Sequence, residues 1–377
     1  MIRGSNLSEC VGVRLEESEL VFVPQRLADK YPRSVAKKGD LVFTCWGTVG
    51  QLGIIDDKSR YPTYLVSNKQ MKMTVDRHRV LPLFLYYYLS QPRMISLVRG
   101  QAIGSSVPGF NLGQLKSLPV SIPRIEVQRA ISDILGALDD KIAANEKVID
   151  AAGLALQCEA SLLWLSTTEY LDLGSLVTVI NGVSYKSADL DESDTALVTL
   201  KSVSRDGEFA ERGFKAYVGP YRSQQEVVAG DLVVAKTDIT QDGAIVGRAV
   251  RVPKTDSYKH LVASLDLAIV RPAGDLSPEF ILAVLRRPEF RSHCRASASG
   301  TTVLHLGRGA IESFRAPVVD PILTNTYCAK ARAFDALQDA MRGQNLALSR
   351  TRDQLLPLLM SGKIRVKDIE AVASEVL

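Results

Sequence analysis

Cysteine offers this sequence no covalent framework. Its five residues, Cys10, Cys45, Cys158, Cys294 and Cys328, are odd in number, and no two have the close spacing of a zinc knuckle or a redox pair. Scattered thiols of this kind are expected to stay reduced, as in a cytoplasmic protein. The four histidines are scattered too, so no metal site is expected. There is no apolar run of about 18 residues and no charged-then-apolar leader, which points to a soluble chain without a membrane segment. Several strings that announce common chemistries are also missing. We find no GxGxxG after a strand, no phosphate loop ending in Gly-Lys-Ser/Thr, and no HExxH or GxSxG. Asn-Pro-Pro-Tyr and Asp-Pro-Pro-Tyr strings are absent as well. Carboxylates such as Asp139 and Asp140 fall on a presumed helix face, where solvation is the default. We therefore expect no catalytic residue, no cofactor and no metal, and a non-enzymatic role.

What is present suits packed domains. Apolar residues make up 46% and charged residues 23% of 377 positions, enough for two or three cores rather than global disorder. A net charge of +4 permits a polyanionic partner without demanding one.

The chain also repeats itself. Lys37-Lys38-Gly39-Asp40-Leu41-Val42 recurs as Val228-Ala229-Gly230-Asp231-Leu232-Val233. A Pro-led helical stretch, Pro82 to Val98, recurs from Pro278, with Phe84, Leu89 and Pro92 matched by Phe280, Leu285 and Pro288. Gly104-Ser105-Ser106-Val107 corresponds to Gly300-Thr301-Thr302-Val303, and Pro119 to Pro123 corresponds to Pro317 to Pro321. Four matches in the same order identify a duplicated module. In the second copy, short Val-, Ile- and Leu-rich runs (Leu173 to Ile180, Ala196 to Leu200, Asp231 to Ala235, Ala244 to Val252, Leu265 to Val270) predict strands. A helix is predicted over about 278–293, with Ser277 as its N-cap. Each module is therefore expected to be α+β.

After each closing proline the apolar period changes. Val127, Ile131, Ile134, Leu138, Ile142, Ile149, Ala152, Leu156 and Leu163 step by three, four and seven. A second series runs Phe334, Leu337, Met341, Leu348, Leu355 and Leu359. Each predicts a helix of about 40 residues, on the order of 60 Å long. Two such stripes are covered most simply by pairing as an antiparallel coiled coil; two unrelated core helices are the alternative. Ile131, Leu138, Ile142, Leu337, Met341 and Leu348 would form the seam, with Asn145 and Gln344 as polar residues fixing its register. Pro357 is expected to kink the second helix and Gly362 to stop it.

This alternation of module and helix, with its local strings, resembles the specificity subunit of type I restriction–modification systems. Leu118-Pro119-Val120-Ser121-Ile122-Pro123 followed by Glu126-Val127-Gln128-Arg129-Ala130-Ile131 looks like that family's junction into its conserved helix. Ile134-Leu135, Leu138 to Ile142 and Asn145 are similar to its helix pattern. So is Arg352-Asp353-Gln354-Leu355-Leu356-Pro357-Leu358-Leu359-Met360-Ser361-Gly362-Lys363-Ile364. Leu173-Gly174-Ser175-Leu176 to Asn181-Gly182 resembles the opening of its recognition domain. The resemblance implies a recognition domain at 1–123, a helix at 124–166, a second recognition domain at 167–321 and a second helix with a tail at 322–377. It further implies that each domain reads half of a split site in double-stranded DNA. The helices would dock two adenine methyltransferase subunits, and restriction subunits join some complexes. Two departures stand out. The stretch from about Glu169 to Ala196 has no counterpart before Ile2, so the first module is expected to lack opening strands. The junction after Pro321 lacks the acidic–glutamine pair.

DNA reading calls for Arg, Lys, Asn, Gln or Thr on inserted loops. Thr44, Trp46 and Thr48 lie in one polar loop, and Lys236, Thr237, Thr240 and Gln241 lie in its counterpart. Trp46 serves equally well as a core or wedge residue. Ser105, Ser106 and Asn111, matched by Thr301, Thr302, His305 and Arg308, form a second pair of loops, either DNA contacts or turns bonding their own backbone. Arg99 and Arg295, with Arg93, Arg286, Arg287 and Arg291, are candidate phosphate contacts or simply solvated helix charges. A coiled-coil scaffold with protein-binding modules is the competing function.

Overall fold

The two Gly-Asp-Leu-Val segments form the same device in both halves of the chain. In a computed structural model describing residues 1–104, 108–165, 167–240 and 243–367, each aspartate closes its own turn. Lys37 N donates to Asp40 Oδ2 at 2.9 Å, and Val228 N donates to Asp231 Oδ2 at 3.1 Å. The glycine before each aspartate has φ of 91° or 98°, a backbone region that only glycine enters without strain. The strands that follow, Leu41–Thr44 and Leu232–Ala235, are buried throughout.

The chain divides into two units, Met1–Val148 with Ala340–Leu377, and Ile149–Asp339. In the second unit, one antiparallel sheet has the order Ala249–Arg251, Leu232–Ala235, Leu267–Pro272, Val177–Asn181. Another has the order Glu226–Val227, His260–Ala263, Thr195–Val198, Phe214–Ala216, with a parallel central pair. The first unit is a reduced version. Leu52–Ile54, Leu41–Thr44 and Gln70–Met73 form one sheet, and Val35–Lys37 pairs with Thr63–Leu65. Ile2 makes a parallel bridge to Val66, as Val198 does to Ala263. Among the described residues no strand lies along Gln70–Met73 where Val177–Asn181 lies along Leu267–Pro272.

The predicted single helix after each sheet is two helices, Pro82–Leu89 then Pro92–Gln101, and Pro278–Leu285 then Pro288–Ala296. The second proline of each pair supplies no N–H and starts a new helix instead of continuing the old one. Ser277 stands at the N-cap as expected, but its hydroxyl bonds Glu279 rather than the backbone.

Two long helices follow the modules, Ile125–Leu163 and Pro321–Met360. At the start of the first, the Gln128 side chain is fully buried and saturated. It accepts from Leu81 N at 2.8 Å and donates to Arg79 O and Pro123 O, both at 2.9 Å. That explains the glutamine of the junction string. The second helix, lacking it, is capped by Asp320, which accepts from Ile322 N at 2.8 Å. Pro357 lies inside the helix, which runs on to Met360. Beyond it Gly362, at φ 70°, donates to Leu359 O while Lys363 N donates to Leu358 O, a Schellman stop.

The helices pair antiparallel within each unit. In the first, Asn145 is buried, and its amide donates to Gln344 Oε1 at 2.7 Å and Asn345 Oδ1 at 2.8 Å. Ile131 is buried in the unit's core, while Leu138, Ile142, Met341 and Leu348 are half-buried. In the second unit, Gln338 donates to Ile149 O at 3.0 Å and Lys330 pairs with Glu159 at 2.8 Å. Two seam assignments need correcting. Val127 and Leu337 are exposed, each lying on the rim of the stripe.

Asp139, expected on a solvated helix face, is 6% exposed. Arg352 Nη1, itself 7% exposed, donates to Asp139 Oδ1 at 2.9 Å, Tyr87 donates its hydroxyl to Oδ2, and Arg14 lies 3.9 Å away. Burial first, then the neighbouring carboxylate, pushes the Tyr87 phenol upward, so it remains a protonated donor. Asp140, next along, is exposed and pairs with Lys58. Breaking a buried ion pair from one side is costly. Arg352→Met is expected to lower unfolding stability by about 3–5 kcal/mol in urea titrations. Gln128→Ala, which strands three backbone groups, is expected to lose about 1–3 kcal/mol.

Candidate nucleic-acid interface

In each unit the loop leaving the Gly-Asp-Leu-Val strand meets the loop that follows the helix pair. Phe110 N donates to Cys45 O at 2.9 Å, and Leu306 N donates to Lys236 O at 2.7 Å. Cys45 N donates to Lys69 O, and Lys236 N to Asp266 O, at 3.0 and 2.8 Å. These bonds make Cys45 the counterpart of Lys236, and Lys69 that of Asp266. Bridges follow one residue on, Trp46 with Gly109 in the first unit and Thr237 with His305 in the second. Ile103 also bridges Gly109, as Ser299 pairs with His305. The two loop sets singled out in the sequence are thus one surface in each unit.

The framework is shared and the insertions differ. Thr44 N donates to Gln51 O and Ala235 N to Arg248 O, both at 2.9 Å. These bonds close six intervening residues (45–50) in the first unit and twelve (236–247) in the second. Beside each closure a positive-φ glycine sits under the second helix, Gly50 near Ile95 and Gly247 near Cys294. A Cβ on Gly247 would lie 2.5 Å from Cys294 Cβ, so no larger residue fits.

The longer loop is organised by Asp238, which is buried. Its carboxylate accepts from Thr240 N at 2.7 Å and Val246 N at 2.8 Å, and from Ile245 N. Burial alone would raise this carboxyl, but the Thr240 hydroxyl and the backbone donors outweigh it and hold the group below the usual carboxylate range. Arg248 Nε and Arg291 Nη2 both donate to Ala244 O, at 2.8 and 2.9 Å. Of these loop-holding groups Thr240 and Arg291 stood out in the sequence, one as a DNA-reading candidate and the other as a phosphate candidate. The Asp-Ile-Thr spacing typical of an Asx turn is the signal that marks Asp238.

The candidate contacts divide by placement. Thr44 and Thr237 are corrected to framework residues. Thr44 is 1% exposed and bonds Gln51, and Thr237 is 8% exposed and donates to Asp266 Oδ1 at 2.9 Å. Trp46 and Thr48 are exposed, Thr48 donating to Gln51 Oε1 at 2.6 Å. Asn111 caps Leu112–Lys116, its side-chain oxygen accepting from Gln114 N at 2.9 Å. Lys236 is half-buried and donates to Asn181 Oδ1 at 2.5 Å; burial pushes its ammonium below its ordinary value. Thr240 Oγ1 accepts from Ala244 N at 2.9 Å. Thr301, Thr302, His305 and Arg308 are exposed on the facing loop, and Arg295 is exposed beside Gly243. Arg99 pairs with Glu9 at the surface. Arg287 stacks over Trp164 at 4.9 Å, and Arg286 donates to Gly207 O at 3.3 Å. Ser105, Ser106 and Gln241 lie outside the described residues. Among the described residues no group of three or more His, Cys, Asp or Glu could hold a metal ion, and no helix is long and apolar enough to cross a membrane.

Residues 25–152 match the model of the type I restriction modification DNA specificity domain. The HindI specificity subunit of Haemophilus influenzae is 21% identical, over 88% of each chain. The MjaVIII specificity subunit of Methanocaldococcus jannaschii is 19% identical, over 81% of this chain and 75% of that one. In sequence the chain is thus similar to type I restriction–modification specificity subunits. The crystal structure of a type I S subunit from M. genitalium shares the fold, with a TM-score of 0.55 at 14% identity, over 86% of this chain and 83% of that one. Both of these sequence relatives are named as specificity subunits of type I restriction enzymes.

Asp238 supplies a test of the loop's architecture. Its folded pKa is depressed, so its contribution is present above the ordinary value near 3.8 and is lost as pH falls through the folded value. Asp238→Asn is expected to be less stable than the parent at pH 7, with the difference shrinking below about pH 4. Urea midpoints measured from pH 7 to pH 3 read this directly.

Proposed function

We propose that the chain is the DNA-reading subunit of a cytoplasmic type I restriction–modification complex. Its two recognition domains, 1–123 and 167–321, each read one half of a split site in double-stranded DNA. Its helical stretches, 124–166 and 322–377, carry two adenine methyltransferase subunits, which restriction subunits can join. The observation that carries this reading is recurrence with divergence. The same backbone bonds assemble the same pair of loops in both units, while the loops differ in length and side chains. A fold that repeats its framework and varies its tips is suited to two unlike half-sites.

The exposed side chains there suit both parts of DNA recognition. Arg295 and Arg308 have the chemistry of phosphate contacts, while Thr301, Thr302 and His305 offer base-edge donors and acceptors. Arg99, Thr48, Asn111 and Trp46 are the corresponding set in the first unit, and Lys236 and Thr240 complete the second. Subunit docking finds support in apolar side chains left outside the helix pairing, including Leu154 and Leu162 in the second unit.

The deciding experiment is an adenine methylation map of a host with and without this gene, where one split motif should disappear on deletion. Replacing residues 236–247 should then alter one half of that motif and leave the other half unchanged. Unchanged methylation on deletion would sink the proposal. Binding by the assembled complex should weaken by roughly 10³–10⁵ between 50 and 200 mM salt if six to ten phosphates are contacted.

A further inference from the structure

The first unit carries an open groove where its two loops meet. Trp46, Gly47, Asn68 and Lys69 line an open space of about 280 Å³. Trp46 is 54% exposed, high for a large aromatic side chain in a folded domain. Its ring is nonetheless well seated. A Cβ built on Gly109 would lie 3.2–3.3 Å from three carbons of the six-membered ring, so the indole packs closely against a position that carries no side chain. A ring held down in this way is a platform rather than a projecting wedge.

The second unit shows what the alternative looks like. Thr237 occupies the position of Trp46, and His305 that of Gly109. Bulk has exchanged sides, with a large residue facing glycine in one unit and a small residue facing histidine in the other. Asp266 stands where Lys69 stands, and Thr237 Oγ1 donates to it at 2.9 Å. The second unit thus has an engaged carboxylate at the position where the first has an ammonium. Among the described residues neither the Asn68 amide nor the Lys69 ammonium has a hydrogen-bond partner, and both are exposed.

We propose that this groove takes a single nucleotide of the target DNA whose base leaves the helical stack and lies on Trp46. An aromatic face accepts any base by stacking. Asn68 carries a donor and an acceptor side by side, suited to the edge of that base, and Lys69 suits its phosphate. Ile103, 71% exposed and bridged to the other side of Gly109, would fill the space vacated in the stack. The first recognition domain would thus read one position by extrusion, and the second would read its half-site without it. This rests on the DNA-reading function proposed above.

The test uses the assembled complex with its methyltransferase subunits on the duplex identified by the methylation map. 5-Iodouracil is placed at successive positions of the half-site assigned to the first domain. Irradiation should crosslink Trp46 at one position, and a thymine there should be reactive to permanganate only when the complex is bound. Trp46→Ala should abolish the crosslink and weaken specific binding about tenfold or more, and Trp46→Phe should retain most of the affinity. Asn68→Ala should relax selectivity at that position alone. Trp46 is exposed, so the alanine variant should unfold at the same urea concentration as the parent. Unchanged specific affinity in Trp46→Ala, or no position with permanganate reactivity, overturns the extruded base while leaving half-site reading intact. Absence of any split motif overturns the function itself, so the two failures are distinct.

Discussion

A carboxylate taken out of water organises the first unit. Asp139 sits on a long helix, and its charge is met by Arg352 from the C-terminal helix, by the hydroxyl of Tyr87 from the module, and at longer range by Arg14. Each partner comes from a different part of the chain, and none can be withdrawn without leaving charge or a polar hydroxyl unsatisfied in a low-dielectric interior. Apolar packing around it is tolerant of sliding, because leucine and isoleucine contacts are non-directional. The ion pair is not tolerant. It selects one register for the helices, and the Asn145 amide with its two partners selects the same one a few residues away. The second unit follows the same plan in weaker form. Arg251 lies 3.2 Å from Asp335 and 3.4 Å from Asp339. Burial outweighs Arg251 there, so the Asp335 carboxyl is held above its ordinary value.

Each long helix contributes to two cores. Ile131 and Leu135 lie in the first unit's core with Leu356 and Leu359 of the second helix. Leu163 lies in the second unit's core with Tyr327, Cys328 and Ala331 of that helix. A helix built into a core in this way cannot be shortened or turned without repacking that core. The tips are under no such constraint. Their backbone is tied down at a few bonds, such as Phe110 to Cys45 and Leu306 to Lys236. Between those bonds the two units differ in loop length and side chain, as a recognition surface needs.

How much of this was legible depended on range. The Gly-Asp-Leu-Val turn could be read directly because its bonds span three residues. The helical seams were legible because periodicity is local, although Val127 and Leu337 show that period alone does not tell the rim of a stripe from its centre. The Asp139–Arg352 pair is separated by 213 positions, and nothing near either residue marks it. The meeting of the two loops was hidden for a related reason. It is made by backbone groups, which every residue carries, so it left no trace in side-chain type. Thr44 and Thr237 lie in strands buried throughout, and the polar type of a threonine does not reveal that burial.

The comparison of the two units carries the argument furthest at the loops. Had both modules diverged at random, a glycine facing tryptophan in one and histidine facing threonine in the other would be unrelated accidents. Steric fit couples them. The indole at position 46 packs closely on position 109, where a Cβ would make the ring give by a few tenths of an ångström, whereas the residue paired with His305 is the smaller Thr237, bonded to Asp266. A change at one member of such a pair is felt at the other, because the two positions stay bonded at fixed register. Recognition surfaces on this fold therefore vary in coupled sets rather than residue by residue. Grafting Trp46 alone into the second unit would place the ring against His305, whereas grafting it with the glycine preserves the seat.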